Sequence, residues 1–217
     1  MNVNSEDAVR DSYDAAASEY VAHIYDELRH KPLDRRLLDE LAEEVSGRGP
    51  VCDIGCGPGH VARYLRERGA EVTGVDLSPR LIEEARRLNP GIRFEVGDMR
   101  SLEVPDAAFA AVVAFYSLIH FDTDQLREAV RELRRILSPG GVLLASFHRG
   151  SERRHVDDLW GVEVNLDFNF FEPDEIKTVL TAEGLAAERI TVRTPYIGFE
   201  VETERFYVSA RRPAEIY

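Results

Sequence analysis

Two patterns of apolar residues alternate along the chain, one with helical spacing and one with the short runs of β-strands. Apolar residues at helical spacing run through residues 13–28 and 33–45, and short apolar runs rich in valine and isoleucine begin at Val51. From there the pattern predicts strands at 51–54, 71–75, 92–96, 110–115 and 141–147, with helical segments between them. Strands that alternate with helices are typical of a parallel sheet with crossover helices on both faces.

The pattern changes after the fifth predicted strand. Residues 149–161 are polar and show no clear period, whereas residues 162–170 alternate apolar and polar positions, which predicts a strand with one apolar face. A helix is predicted over residues 173–182. Two closing strands, at 190–192 and 205–209, are near enough in sequence to form an antiparallel hairpin.

This organisation divides the chain into two parts. We predict an N-terminal helical cap over residues 1–48 and a core over residues 49–217, within which residues 149–171 cover a binding site. The 217 residues are 44% hydrophobic and 31% charged, which suffices for one packed domain with an appendage.

The composition limits the kinds of binding partner that the protein is expected to have. The formal net charge of −13 repels phosphate backbones, so we expect no nucleic acid partner. No apolar run approaches the roughly 20 residues of a membrane span, and the first residues are polar, so we expect a cytoplasmic protein that does not bind membranes. The cysteines, Cys52 and Cys56, lie in one glycine-rich segment without further metal ligands nearby, and we expect no metal site.

The segment 51–60 joins a strand to a helix through three glycines, which permit positive φ angles and close approach of a ligand to the backbone. In an open parallel sheet, ligands bind at such carboxyl ends of strands. The spacing is not that of a dinucleotide loop, because His60 stands where a further glycine is expected. A carboxylate, Asp53, disfavours a pyrophosphate and favours a cofactor with an ammonium and a sulfonium. The predicted contacts from this segment are Asp53, Gly55, Cys56, Gly57 and Gly59.

Two more acids follow the next two predicted strands. Asp76 can accept both hydroxyls of a ribose, as acids at this position do in nucleotide-binding sheets. Asp98 is placed to accept a hydrogen bond from an adenine amine, with Leu77 and Met99 as apolar flanks. Loop acids and helix N-caps are the alternative explanation for each acid alone, but three acids at successive strand ends beside one glycine loop predict a nucleoside cofactor.

These motifs resemble a known family. They are Asp53-x-Gly55-x-Gly57-x-Gly59, Val75-Asp76-Leu77-Ser78, Gly97-Asp98-Met99 and Leu137-Ser138-Pro139-Gly140-Gly141. Over residues 13 to about 147 the chain is similar to the class I S-adenosylmethionine (SAM)-dependent methyltransferases, especially the small bacterial methyltransferase-domain enzymes. The resemblance implies a Rossmann-like sheet of seven mostly parallel strands, the last antiparallel, with helices on both faces. It also implies SAM as cofactor, Asp76 on its ribose and Asp98 on its adenine.

The resemblance extends to an N-terminal stretch. In similar enzymes a Tyr-x-x-x-Ala-x-x-Tyr-like segment covers the methionine end of SAM, and Tyr13, Ala17 and Tyr20 approximate it. Packing of both tyrosines in the core is an equal alternative.

The residues after the fourth predicted strand should face the ligand crevice. Phe115 is expected beside the cofactor, and Tyr116 and His120 are candidate catalytic residues. His120 could act as a general base near its ordinary pKa of about 6.5, although capping or packing would also explain it. His148, after the fifth strand, is a weaker alternative base.

An acceptor pocket is expected under residues 149–171. Its predicted aromatic walls are Trp160, Phe168 and Phe170. Packing on the helices or a dimer strand would explain the same apolar face equally well.

The sequence therefore favours a SAM-dependent methyltransferase that acts on a small molecule, as a monomer or a homodimer. A SAM-binding regulator or inactive homologue is the first alternative, because methyl transfer needs few protein groups. An NAD(P)-dependent oxidoreductase is less favoured, since the loop spacing and Asp53 oppose it.

Overall fold

The computed structural model describes residues 6–214. The outermost parts of the predicted cap and core, residues 1–5 and 215–217, lie outside the described residues. The helices are α1 (Glu6–Ile24), α2 (Pro32–Glu44), α3 (His60–Arg66), α4 (Pro79–Leu88), α5 (Thr123–Ile136) and α6 (Pro173–Ala182). The strands are β1 (Val51–Ile54), β2 (Val72–Asp76), β3 (Arg93–Val96), β4 (Phe109–Phe115), β5 (Leu137–His148), β6 (Arg153–Leu159), β7 (Val162–Asn169), β8 (Ala186–Arg193) and β9 (Arg205–Arg211).

Seven strands form the main sheet in the order β3-β2-β1-β4-β5-β9-β8. In this order each strand from β3 through β5 pairs in parallel with its neighbour. Strand β9 runs antiparallel to both β5 and β8. The predicted fold class, with its reversed last strand and closing hairpin, is confirmed. The strand order reverses between β1 and β4, which opens a crevice at their carboxyl ends.

Both faces of this sheet are covered, because alternate residues of the central strand enter different cores. In β4, Val112 and Ala114 pack with helices α5 and α6, whereas Ala111 and Val113 pack with helices α2 and α3. A strand buried on both faces has to be apolar throughout, as the sequence of β4 is.

Side-chain caps fix two helix starts where the sequence places them. The Ser78 hydroxyl accepts a hydrogen bond from the Leu81 N–H at 3.0 Å at the start of α4. Asp122 and Gln125 form a reciprocal capping box at the start of α5. Such caps satisfy N–H groups that would otherwise lack partners.

The polar segment 149–161, which shows no clear period in the sequence, contains strand β6. It pairs with β7 as a separate antiparallel sheet around the two-residue turn Trp160-Gly161, in which both φ angles are positive. The hydrophobic pattern missed β6 because most of its residues are exposed and none is fully buried. Its Arg153 and His155 instead bind the buried Asp167 of β7.

The two helices of the predicted N-terminal cap pack in different places. Leu37, Leu38 and Leu41 of α2 share a core cluster with Val51 and Val142, so α2 belongs to the layer that covers the main sheet. Helix α1 instead packs against β7 and α4.

Hydrogen bonds between Ser12 and Asn165 tie α1 to the β6–β7 hairpin. The Asn165 N–H donates to the Ser12 hydroxyl at 2.9 Å. None of the helices formed by residues 6–214 combines the length and apolar character that a membrane span needs.

Candidate cofactor and acceptor site

The glycine loop after β1 leaves its backbone open to the crevice. Gly55 and Gly57 have φ angles of +66° and +51°, which L side chains rarely adopt. A Cβ atom on Gly55 would lie 2.2 Å from the Ser117 Cβ, and one on Gly57 would lie 3.3 Å from the Tyr20 ring. Ser117 and Tyr20 therefore pack closely on the loop, and a side chain at Gly55 would displace Ser117.

Asp76 ends β2 beside this loop. Its Oδ2 accepts a hydrogen bond from the Gly57 N–H at 2.8 Å, and its Oδ1 accepts one from the Ser78 N–H at 2.9 Å. Burial raises the pKa of this carboxyl group, and the two backbone hydrogen bonds oppose that shift. Each oxygen keeps a further lone pair, so the carboxylate can also accept hydrogen bonds from a ribose.

A cleft runs from this loop across the ends of β2 and β3. Most of the residues predicted to contact the cofactor line it together: Tyr13, Tyr20, Gly55, Gly57, Asp76, Leu77, Asp98, Met99 and Phe115. Its residues fit a nucleoside, because they combine open backbone, a carboxylate and apolar flanks.

Three residues of the predicted cofactor set lie elsewhere. The Asp53 Oδ2 accepts a hydrogen bond from the Ala62 N–H at 3.0 Å, and burial raises the pKa of Asp53 to about 7. Gly59 begins α3, where a Cβ atom would meet the Phe94 ring at 2.6 Å. Cys56 and Asp53 border a neighbouring cavity rather than the cleft.

Asp98 lies in the cleft as predicted, but its carboxylate already binds a cation. Arg100 places Nη2 at 2.7 Å from Oδ2 and Nε at 3.1 Å from Oδ1. The Arg100 N–H also donates to Oδ1 at 2.9 Å. An adenine amine would therefore compete with Arg100 for this carboxylate. Arg100 was not among the residues predicted from the sequence, although its position two residues after Asp98 was a signal.

The neighbouring cavity, which we call the chamber, encloses about 640 Å³. It adjoins the cleft along shared lining residues, namely Tyr13, Tyr20, Gly55, Gly57, Phe115 and Tyr116. Of the predicted aromatic walls, Trp160 and Phe168 line the chamber. Phe170 does not, because β7 ends at Asn169 and Phe170 packs instead on the His148 ring, with centroids 5.1 Å apart.

His120 forms a hydrogen-bonded pair with Tyr13 at the wall of the cleft. The His120 Nδ1 lies 3.1 Å from the Asp167 carbonyl oxygen, which can only accept, so Nδ1 carries the proton. Nε2, 2.9 Å from the Tyr13 hydroxyl, is then the acceptor. Burial lowers the pKa of His120 to about 4, so the ring is neutral at pH 7.

The backbone of Tyr116 is strained, and its hydroxyl proton is used in a hydrogen bond to another tyrosine. Its φ angle is +53°, unusual for a bulky residue. The Tyr207 hydroxyl donates to Asp34 at 2.8 Å, and its oxygen accepts from Arg193 at 2.8 Å. The Tyr116 hydroxyl, 3.0 Å from Tyr207, therefore donates to it. Burial raises the pKa of Tyr116 to about 12, so its hydroxyl is protonated at neutral pH.

A charged cluster at the chamber was absent from the sequence prediction. It includes Lys31, Glu200 and Arg205, whose side chains are all buried. Lys31 is one of two lysines in a chain otherwise rich in arginine, which was the available signal. The Arg205 contacts depend on distant parts of the chain, so no local motif indicates them.

Comparisons with known proteins agree with this geometry. The profile of a family described as "Methyltransferase domain" matches residues 51–141. A malonyl-[acyl-carrier protein] O-methyltransferase from Enterobacter lignolyticus is 39% identical over 117 residues, which cover 53% of this chain and 46% of that protein. A protein of the same name from Salmonella typhimurium is 30% identical over 174 residues, which cover 79% of this chain and 66% of that protein. The chain thus spans about half to two thirds of the length of these relatives.

Solved structures show the same fold. A SAM-dependent methyltransferase from Methanosarcina mazei is 21% identical, with a TM-score of 0.69 over 76% of this chain and 93% of that one. Magnesium protoporphyrin IX methyltransferase from Synechocystis, crystallised with bound SAM, is 19% identical, with a TM-score of 0.70 over 98% of both chains.

The sheet order and the loop after β1 define a Rossmann-like protein that binds a nucleoside cofactor at the strand-order reversal. Within that class the matches are methyltransferases. The chain belongs to the class I SAM-dependent methyltransferases, and its cofactor is SAM.

Proposed function

We propose that this protein transfers a methyl group from SAM to a small molecule bound in the chamber. The observation that carries the proposal is that the cleft and the chamber meet at Tyr13, Phe115 and Tyr116, which line both. A donor in one and an acceptor in the other would lie in contact there. Holding two reactants in this way is the main contribution that a protein makes to such a displacement.

The residues of the cleft are suited to hold the donor. Gly55 and Gly57 present only backbone to the cleft, and Asp76 offers two buried carboxylate oxygens to a ribose. Leu77 and Met99 supply apolar flanks for the base. SAM supplies a methyl group already activated on a sulfonium, so the protein has to align the acceptor and exclude water.

The Tyr13–His120 pair is our candidate for proton removal. A proton from the acceptor can pass to the Tyr13 oxygen while the Tyr13 proton passes to the His120 Nε2, 2.9 Å away. With a pKa of about 4, His120 is a weak base. The pair therefore suits an acceptor group that is acidic or already ionised.

The names of the relatives suggest one specific acceptor. Both curated relatives are named for methylation of malonyl-[acyl-carrier protein]. A malonyl thioester carries a free carboxylate, which needs no strong base. We keep it as a second candidate within the same chemistry.

Two measurements test the proposal. Calorimetric titration with SAM, S-adenosylhomocysteine and NAD should show binding of the first two alone. A labelled-methyl assay should then transfer label to a component of a small-molecule metabolite pool or to a malonyl thioester. Tight SAM binding without transfer to either would instead support a SAM-binding regulator, and preferential binding of NAD would refute the proposal.

A further inference from the structure

The cross-strand pair His148 and Arg205 borders the chamber at one end of β5 and β9. The two residues are directly opposite in the antiparallel register, so their side chains leave the same face of the sheet. Both line the chamber. A histidine and an arginine side by side are typical of a site for an anion.

Arg205 is buried without a carboxylate of its own. It is 3% exposed, and its Nη1 donates to the carbonyl oxygens of Thr203 at 2.6 Å and Val201 at 3.1 Å. Its Nε has no hydrogen-bond partner among residues 6–214. The nearest carboxylate oxygen, on Glu200, lies 3.4 Å from Nε.

Glu200 is already shared with other cations. Arg193 holds it through two hydrogen bonds of 2.6 and 2.8 Å, and the Lys31 Nζ lies at 3.4 Å. Although burial opposes the shift, the hydrogen bonds from Arg193 lower the pKa of Glu200 to about 2. One carboxylate therefore serves three cations, and only Arg193 holds it at hydrogen-bond distances below 3 Å, whereas Lys31 and Arg205 both lie 3.4 Å away.

The other acids that line the chamber either have partners elsewhere or are exposed. Glu27 lies 2.8 Å from the Lys31 Nζ and 3.3 Å from the His60 Nε2. Asp53 accepts the Ala62 N–H. Glu202 also lines the chamber but is exposed, where solvent screens its charge.

The environment of His148 also indicates that a ligand bound here carries negative charge. Burial lowers the pKa of His148 to about 3, and the positive charges of Arg205 and Lys31 add to that shift. His148 is therefore neutral at pH 7. Its Nδ1 lies 2.8 Å from the Thr203 hydroxyl; when that hydroxyl donates, the proton of His148 is on Nε2 and can be donated to an anion.

We propose that Arg205 and His148 form an anion site that binds a carboxylate of the acceptor, so the acceptor is an apolar molecule carrying a carboxylate. Phe168 and Trp160 line the same chamber and would contact its apolar part. This assignment rests on the proposed methyltransferase function, since it gives the chamber to the acceptor.

The test compares three probes of similar shape: 3-phenylpropanoate, 3-phenylpropanamide and 3-phenylpropylamine. Each is titrated into the full chain by calorimetry, with and without S-adenosylhomocysteine. We expect the carboxylate to bind at least tenfold more tightly than the amide, and the amine to bind most weakly. Equal affinities, or a preference for the amine, would overturn the proposal without needing any variant.

A variant locates the site. Arg205→Gln should lower the affinity for 3-phenylpropanoate at least tenfold and leave that for the amide unchanged, while Arg205→Lys should restore part of it. Arg189→Gln is the matched control, because Arg189 is an exposed arginine of the same sheet that pairs with Glu40. An unchanged preference for the carboxylate in folded Arg205→Gln would refute the assignment to Arg205.

The two proposals fail differently. If S-adenosylhomocysteine binds but the carboxylate has no advantage, the anion site is wrong and the methyltransferase proposal stands. If S-adenosylhomocysteine does not bind, the methyltransferase proposal fails, whatever the probes show. Retained binding of the carboxylate in that case would mark the chamber as an anion site of another kind.

Discussion

The cleft and the chamber meet in one molecule but are built in different ways. The cleft takes the residues expected to contact the ribose and base from the carboxyl ends of β1, β2 and β3, such as Gly55, Asp76 and Asp98, so short stretches of sequence specify that part of it. The chamber takes Lys31, Trp160 and Arg205 from three distant segments. A binding site made from strand ends is fixed by the sheet, whereas one assembled from loops and edges is free to change with the substrate.

The strongest test of this contrast is the glycine loop. Gly55 and Gly47 have similar φ angles, +66° and +71°, but a Cβ on Gly55 would meet the Ser117 Cβ at 2.2 Å and one on Gly47 would meet nothing within 4 Å. Gly47→Ala should therefore cost about 1 kcal/mol, from backbone strain alone. Gly55→Ala adds a clash with an atom that moves only with its backbone, and should cost at least about 3 kcal/mol.

Urea unfolding of both variants, with titration of S-adenosylhomocysteine, measures this difference. Gly47→Ala should bind the ligand as the parent does, and Gly55→Ala should not. Equal stability of the two variants would show that the loop has room at Gly55, against the close approach described above.

Asp76 tests whether the cleft holds the cofactor. Asp76→Ala should lower SAM affinity at least tenfold, because a buried hydrogen bond to a charged group contributes roughly 1.5–3 kcal/mol. Asp106→Ala is the control, since Asp106 is exposed and its ion pair with Arg135 does not border the cleft. Isothermal titration provides both values. Unchanged SAM affinity in Asp76→Ala would place the cofactor elsewhere.

His120 tests the electrostatics at the junction of cleft and chamber. Its pKa is about 4 in the folded protein and about 6.5 when unfolded, so between these values the unfolded state binds more protons. Its contribution to stability is therefore present above pH 6.5 and is lost as pH falls toward 4. From pH 6.5 to 5 the loss is about 1.6 kcal/mol by this linkage, because the unfolded side chain is already half protonated at pH 6.5.

Other groups titrate in the same range, so the measurement has to compare variants. Asp53, with a pKa of about 7, contributes in the opposite direction, because its raised pKa favours the folded state as pH falls. His148 contributes in the same direction as His120. The unfolding free energy of His120→Gln should fall less between pH 6.5 and 5 than that of the parent. Parallel curves would mean that His120 is not buried as a neutral ring.

The same contrast explains what the sequence could predict. The strands of the main sheet and the glycine loop follow from local periodicity and from residues adjacent in the chain, as with Ser78 and Asp122 at helix starts, whereas the seven-stranded arrangement was expected from the family resemblance. Strand β6 was missed because a strand without a buried face carries no hydrophobic pattern.

The chamber was predicted only in part, for a different reason. Phe168 and Trp160 were found from aromatic composition, but Phe170 was placed by assuming that β7 continues beyond Asn169. The facing of His148 and Arg205 depends on the register between β5 and β9, 57 positions apart along the chain in that pair, and no single-sequence motif encodes it.

Substitution of Phe168 has the smallest expected effect on binding, and it tests most directly whether the cleft and the chamber bind their ligands independently. It lines the chamber and not the cleft, and its ring lies 5.0 Å from that of His120 between centroids. Phe168→Ala removes part of an apolar wall that is already partly exposed, so acceptor affinity should fall by about 1 kcal/mol, or roughly fivefold. SAM affinity should change by less than twofold, because no cleft residue is altered.

The measurement is a pair of titrations on one variant, with SAM and with the acceptor or 3-phenylpropanoate. Ile197→Ala is the control, because Ile197 is 86% exposed and lines neither cavity. Equal losses for both ligands would mean that Phe168 acts through His120 and Tyr13 on the whole site. In that case the cleft and the chamber would be one coupled unit, and the acceptor could not be changed without also changing cofactor binding.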